Sequence, residues 1–85
     1  MNRYTYEVIK CNGIPLHFVY TVTDAYATVD VFGNKKDADD VMYINYTLGI
    51  PYDYNMSIPT GIVRRYKDNE HLFSKIENHN VYCGY

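Results

Sequence analysis

The dipeptide Asn12-Gly13 stands between two runs of strand-forming residues near the amino terminus. Both residues tolerate a positive φ, which the two-residue turns of tight hairpins require. Side chains alternate between two faces from residue 4 to 9 and again from 16 to 21, as strands of a half-buried sheet do. The sequence therefore predicts a β-hairpin over residues 3–21.

The segment after the hairpin is compatible with two structures. Thr23 and Asp24 are residues that begin helices, and Gly33 stands where a left-handed cap would end one, so a short helix over 24–33 is predicted. Because its residues are mostly β-formers that alternate tolerably, a third strand is the competing interpretation. The polar stretch 34–40 is then predicted to be a loop.

From residue 41 to 48 nearly every residue prefers strands, so a strand is predicted. Four apolar residues share one face of such a strand: Met42, Ile44, Tyr46 and Leu48. The helical alternative begins at Asp37 and stops at Gly49, and the β-branched and aromatic content weighs against it. That helix would turn four residues inward: Val41, Met42, Asn45 and Leu48.

The last third of the chain combines a loop, a helix and a tail. Prolines and turn formers over residues 51–59 predict a surface loop. Apolar spacings of three and four then predict a helix from Pro59 or Thr60 to Asn78, which Asp68-Asn69 divides in one interpretation. The tail from residue 80 to 85 is expected either to add an edge strand or to fray.

These elements indicate an α+β fold in which residues 1–85 form a single compact domain. A small antiparallel sheet, made of the amino-terminal hairpin and one further strand, carries one or two helices packed on one face. A mostly-β meander with a carboxy-terminal helix is the alternative. Apolar residues make up 47% of the chain and charged residues 21%, proportions that favour a globular protein over a disordered one.

Charge and hydropathy exclude several classes of protein. The net charge of −2 lacks the basic surplus of a general nucleic-acid binder. The amino terminus shows no secretory signal, and no apolar run approaches the length of a membrane span, so no membrane partner and a cytoplasmic location are expected. In that compartment Cys11 and Cys83 are predicted to be free thiols, whereas export would allow one disulfide between them.

No pattern in the chain indicates an enzyme, a metal or a cofactor. His79 and Cys83 are four residues apart, but the paired ligands of structural zinc sites are absent even if Cys11, His17 or His71 is added. Neither cysteine, nor Ser57 or Ser74 with His71, lies in a motif that builds a nucleophile. The five glycines are scattered singly, so no glycine-rich phosphate loop exists.

Eleven tyrosines are more than the interior of so short a chain can supply with hydroxyl partners. Several must lie at the surface, where tyrosine is a frequent recognition residue. The segment after Pro51 has the composition of a recognition loop: Tyr52, Asp53, Tyr54, Asn55 and Met56. The competing interpretation is a connection that packs its tyrosines over the sheet.

Two charged clusters are further candidates. Asp37, Asp39 and Asp40 are read either as a solvated loop or as an acidic patch that meets a basic groove on a partner. Arg64, Arg65 and Lys67 surround Tyr66 and form the one dense basic cluster. They could contact phosphates, although three charges neutralise few of them.

The sequence thus favours a small non-enzymatic inhibitor or regulator that binds another protein through its tyrosine-rich and acidic surface. Small stand-alone inhibitors of this kind are encoded by phages and mobile elements, and a host nucleic-acid-processing complex is a fitting target. The alternative is a nucleic-acid-binding or nucleotide-binding protein that uses the Arg64–Lys67 cluster. Homo-oligomerisation through the same tyrosines is compatible with either function.

Overall fold

A computed structural model of the chain describes residues 2–11, 13–68 and 81–82, with side-chain surroundings as far as residue 64. The elements follow the order βββααβ. They are β1 (Arg3–Cys11), β2 (Ile14–Val22), β3 (Ala27–Phe32), α1 (Lys35–Thr47), α2 (Thr60–Asp68) and β4 (Val81–Tyr82). The four strands form one antiparallel sheet in the order β1-β2-β3-β4.

The predicted amino-terminal hairpin is confirmed. β1 and β2 pair in register from Arg3 opposite Val22 to Cys11 opposite Ile14. Gly13 has a φ of 80°, the left-handed conformation that the turn requires and that glycine adopts without strain. The expectation that the tail adds an edge strand is also confirmed, since β4 pairs with β3.

The helix predicted over 24–33 is wrong, and the third-strand alternative is right. The Thr23 hydroxyl accepts hydrogen bonds from the backbone N–H groups of Ala25 and Tyr26, and Thr23 N–H donates to the Tyr26 carbonyl at 2.8 Å. A threonine can satisfy the first N–H groups of a turn as well as those of a helix. Thr23 therefore closes a turn that leads into β3.

The loop predicted over 34–40 and the strand predicted over 41–48 are both wrong, because α1 occupies most of both segments. Asn34 caps this helix: its side-chain oxygen accepts from Asp37 N–H at 2.9 Å, and its Nδ2 donates to the Asp37 carboxylate at 3.0 Å. The helix ends where Gly49, with a φ of 77°, donates to the Tyr46 carbonyl. Caps at both ends outweigh the strand preference of the residues between them.

The helical alternative for this region is right in part. Asn45 is buried, and Val41 and Met42 pack partly buried against the sheet, as that alternative requires. Leu48 is the exception, since it is exposed at the carboxy-terminal cap. The capping residue also differs: the helix is capped by Asn34, three residues before the predicted cap at Asp37.

The predicted α+β class with a small antiparallel sheet is confirmed, and each face of the sheet has its own apolar cluster. On one face α1 packs through Ala38 against a cluster with four other buried members: Tyr4, Val19, Phe32 and Ile50. On the opposite face Ile58 and Ile62 of the following segment and α2 cover five buried residues: Cys11, Leu16, Phe18, Val29 and Val31. The two helices therefore lie on opposite faces of the sheet.

The predicted loop over 51–59 carries the chain from one face to the other around the outer edge of β1. Tyr4 N–H donates to the Pro51 carbonyl at 3.1 Å, and Asp53 N–H donates to the Tyr4 carbonyl at 2.8 Å. Further along, Ile58 N–H donates to the Glu7 carboxylate at 3.1 Å. α2 then begins at Thr60 as predicted, and the predicted continuation from residue 69 to 78 lies outside the described residues.

Replacing Asn34 by alanine tests the capping of α1. Loss of the side-chain oxygen leaves Asp37 N–H without its acceptor, so the free energy of unfolding is expected to fall by about 1 kcal/mol. Urea unfolding followed by circular dichroism measures the change. Asn34→Asp retains an oxygen acceptor and is the matched control, expected to stay close to wild type; equal losses in both variants would contradict the capping role.

Candidate functional site

The outer side of α1 carries four large apolar side chains that the fold leaves exposed. They are Tyr43 (67% exposed), Ile44 (54%), Tyr46 (74%) and Leu48 (66%), and we call them the α1 face. Helical geometry explains the exposure, because Ala38 and Asn45 take the inward positions. The rings of Tyr43 and Tyr46 lie 6.5 Å apart between centroids, with an angle of 33° between their planes.

The acidic candidates lie on α1 and not in a loop. Asp37 is engaged in the cap with Asn34. Asp39 and Asp40 are exposed, and their carboxylates lie 3.2 Å and 3.6 Å from the Nζ atoms of Lys35 and Lys36, one turn earlier. The patch therefore alternates in sign, and such exposed pairs contribute little to stability.

The loop candidates divide between packing and exposure. Tyr52 is half-buried: its ring meets that of Tyr4 edge-on at 5.2 Å, and its hydroxyl donates to the Tyr6 carbonyl at 3.3 Å. Tyr54 is 89% exposed and lies against Tyr52 at 4.7 Å. Asp53 accepts from Asn55 N–H at 2.9 Å in a local turn, and Met56 is half-buried. Of the two tyrosines, only Tyr54 offers most of its ring to solvent.

The structure brings this loop and α1 to the same side of the sheet. Tyr52 packs against the cluster that contains Ala38, with Met42 beside it. Tyr6 lies close to the start of the helix: burial raises the pKa of its phenol, which the charge of Lys35 lowers and that of Asp39 raises. The loop and the first turns of α1, which carry the predicted tyrosine and acidic residues, therefore both lie near Tyr6 on this side of the sheet.

The basic candidates lie on the other side of the sheet. Arg64, Arg65 and Lys67 belong to α2, and Arg64 is exposed. The side-chain surroundings of Arg65 and Lys67 lie outside the description. Because α2 and α1 cover opposite faces, the basic cluster and the α1 face are separate surfaces.

The histidine and cysteine candidates are not brought together as far as the structure describes them. Cys11 is buried beneath α2, whereas His17 faces α1 and accepts or donates a 2.7 Å hydrogen bond with the Tyr6 hydroxyl. Burial, and then the charge of Lys35, lowers the pKa of His17. His71, His79, Cys83 and Ser74 lie outside the described residues, and Ser57 is exposed in the loop. Residues 2–11, 13–68 and 81–82 contain no group of three metal-binding side chains.

One site escaped the sequence patterns: Asp30, in the middle of β3. Only 5% of this residue is exposed, and its Oδ1 atom has no hydrogen-bond partner. It pairs across the sheet with Val19, so its side chain lies on the face that α1 covers. Burial raises its pKa to about 6. If residues 24–33 are read as a third strand, an aspartate between Val29 and Val31 is the sequence feature that could have indicated this buried site.

Asp30 lines a pocket of about 250 Å³ between the sheet and α1. Its other described lining residues are Thr21, Tyr26, Thr28, Val41, Ile44, Asn45 and Leu48. Asn45 donates from Nδ2 to the Thr21 hydroxyl at 3.1 Å, which fixes the amide at the pocket floor. Ile44 and Leu48 connect the pocket directly to the α1 face.

Among the described residues, no helix is both long enough and apolar enough to cross a membrane.

The buried carboxyl of Asp30 makes the stability depend on pH. Its pKa is raised from 3.8 to about 6, so the folded state retains the proton that the unfolded chain releases near pH 4. The protonated carboxyl contributes its full stabilisation of the folded state below about pH 4. Between about pH 4 and about pH 6 the free energy of unfolding falls by about 3 kcal/mol as this contribution is lost. Asp30→Asn removes this dependence.

Urea unfolding of wild type and Asp30→Asn between pH 4 and pH 7 checks this expectation. Relative to wild type, the variant is expected to gain stability as the pH rises. Asp40→Asn, which removes an exposed carboxylate from α1, controls for the change in net charge. Parallel stability curves for wild type and Asp30→Asn would contradict the buried titration.

Comparison with protein-family models, with curated proteins and with solved structures found no match. The case for a function therefore rests on two features of this chain itself. One is the exposed α1 face, and the other is the pocket around Asp30.

Proposed function

We propose that this chain is a small non-enzymatic protein that binds another protein through the α1 face and thereby inhibits or regulates it. The supporting observation is the exposure of Tyr43, Ile44 and Tyr46 on a helix of 13 residues and of Leu48 at its carboxy-terminal cap. Clusters of large exposed apolar side chains on small proteins commonly mark sites of association.

The chemistry of the α1 face suits a protein partner. Tyrosines supply large contact areas at low entropic cost, and their hydroxyls remain free to bind polar atoms of the partner. Tyr54 adds an exposed ring from the neighbouring loop on the same side of the sheet. The paired charges of Asp39 and Asp40 with their lysines fit the polar rim that surrounds an apolar centre.

The target and the location are further parts of the proposal. The proposed target is a cytoplasmic nucleic-acid-processing complex, whose exposed basic side chains would compete with Lys35 and Lys36 for the carboxylates of Asp39 and Asp40. Inhibition would follow if the chain covered a groove that normally holds nucleic acid. A homodimer formed through the α1 face is the competing use of the same surface, and light scattering coupled to gel filtration separates the two.

Removal of the two central tyrosines tests the α1 face. The double variant Tyr43→Ala/Tyr46→Ala is expected to lose about tenfold or more of its affinity for the partner, because aromatic residues at interface centres carry much of the binding energy. Both side chains point to solvent, so the unfolding free energy should change little. Affinity capture from a lysate of the source organism, with and without nuclease, provides the measurement.

The control is Ile14→Ala, which truncates an exposed apolar residue on the face opposite α1. Retention of a stoichiometric partner after nuclease and its loss in the tyrosine variant support the proposal. Unchanged capture by the tyrosine variant would remove the α1 face from the function. Capture that disappears with nuclease or with Arg64→Glu/Arg65→Glu would favour nucleic-acid binding through α2, which weakens steeply with salt.

The loop contributes through Tyr54 and not through Tyr52. Tyr54→Ala is expected to weaken partner binding by a few-fold without loss of stability, since its ring is almost fully exposed. Tyr52→Ala is expected to lower the unfolding free energy by about 2 kcal/mol, because the ring packs on Tyr4 and in the α1-side cluster. Urea unfolding and affinity capture of both variants separate the two roles; equal destabilisation would contradict the division.

A further inference from the structure

The carboxyl of Asp30 is buried without the partner that such a group normally has. Its Oδ1 atom is shielded from solvent and receives no hydrogen bond. Burial of a carboxylate is costly unless a cation or several donors compensate it. A buried polar atom without a partner needs a specific explanation, and one explanation is a ligand that supplies the missing donor. The shape and the lining of the adjoining pocket indicate which ligand could do so.

The pocket around Asp30 is set up to attract a positive charge. Asp30 is the one charged residue among its described lining residues, and the Asn45 amide is already committed to Thr21. Thr21 and Thr28 also line the pocket, and a threonine hydroxyl can accept hydrogen bonds from a cationic group. The carboxylate would repel an anion, and a neutral apolar group would leave Oδ1 without a hydrogen-bond donor.

The walls and size of the pocket define the rest of the ligand. Val41, Ile44 and Leu48 form an apolar side against which an aliphatic stem can pack. A volume of about 250 Å³ is below the range of about 300–1,000 Å³ typical for whole small molecules, and it suits a single side chain. A divalent metal ion would need more oxygen ligands than one carboxylate supplies.

We propose that this pocket receives the ammonium or guanidinium group of a lysine or arginine side chain of the partner protein, with its aliphatic stem against α1. The inference rests on the proposed function, because Ile44 and Leu48 belong both to the α1 face and to the pocket wall. The basic side chain of the partner enters beside the α1 face and donates hydrogen bonds to Asp30. The α1 face then supplies contact area, and the adjoining pocket supplies specificity for a basic residue.

Titration with a blocked amino acid tests the pocket without any partner. N-acetyl-lysine N-methylamide is added to the ¹⁵N-labelled protein, and amide shifts are followed at Thr28, Asp30 and Asn45. N-acetyl-norleucine N-methylamide has the same stem without the ammonium group and is the matched probe. We expect saturable shifts with the lysine probe and with n-butylguanidinium, and none with the norleucine probe.

Two variants connect the binding to Asp30. Asp30→Asn is expected to weaken the lysine probe about thirtyfold or more, as removal of one member of a buried charge pair does. Asp40→Asn retains the pocket and should bind as wild type does. Ile44→Lys, at a half-exposed position of the pocket wall, supplies an ammonium group from the chain itself and is expected to block the probe; it keeps the test valid if Asp30→Asn fails to fold.

Several outcomes would overturn the inference. Equal shifts with the norleucine probe would mean that the pocket binds apolar groups without using the carboxylate. Binding that survives both Asp30→Asn and Ile44→Lys would place the cation elsewhere. n-Butylammonium is added as a further probe, and its binding without binding of the lysine probe would assign the pocket to a free amine instead of a protein side chain. Because no partner is present, these outcomes are separate from loss of capture in the Tyr43→Ala/Tyr46→Ala variant, which tests the α1 face.

Discussion

Burial of both faces of the central strands is the constraint on which the rest of this structure depends. Phe18 and Val19 are neighbours on β2, point to opposite faces and are both fully buried. A chain of 85 residues can achieve this only if it places cover on each side of one sheet. α1 covers the first side, and Ile58 with α2 covers the second. The segment between them must therefore pass around an edge, which is why residues 51–58 follow β1 closely.

This arrangement explains where surface is left for recognition. α1 touches the sheet through a narrow strip centred on Ala38 and Asn45, and a small alanine lets the helix approach closely. The strip is too narrow to bury the large side chains in the second half of the helix. Tyr43 and Tyr46 consequently remain in solvent, and residues of α1 and of the sheet together line the pocket that contains Asp30.

The sequence predicted those parts of the fold that depend on local chemistry. The hairpin follows from Asn12-Gly13 and its flanking alternation, and the start of α2 follows from Pro59-Thr60. The segment 24–33 was predicted to be a helix because Thr23, Asp24 and Gly33 are residues that often bound helices, and here they bound a strand instead. The burial of four consecutive residues from Val29 to Phe32 follows from cover on both faces of β3.

The same physical reason limited the prediction of the site. Residues 41–48 include several β-branched and aromatic side chains that are exposed, and surface residues of a helix need not follow its propensities when caps and packing hold it. Composition identified Tyr54 and the aspartates of α1, and it could not separate Tyr52, which packs, from Tyr54, which does not. Asp30 was not among the predicted site residues, since only the register of β3 places it under α1.

The path of residues 51–53 along β1 has a consequence for the behaviour of the chain in crowded solution. An open strand edge is a template on which other chains can extend a sheet and begin to aggregate. Here the backbone of Tyr4 is already paired with Pro51 and Asp53, and the charged Lys10 lies further along the same strand. The opposite edge is β4, which has only two residues. The crossing that lets both faces be buried thus also occupies the start of the β1 edge, where another chain could otherwise pair.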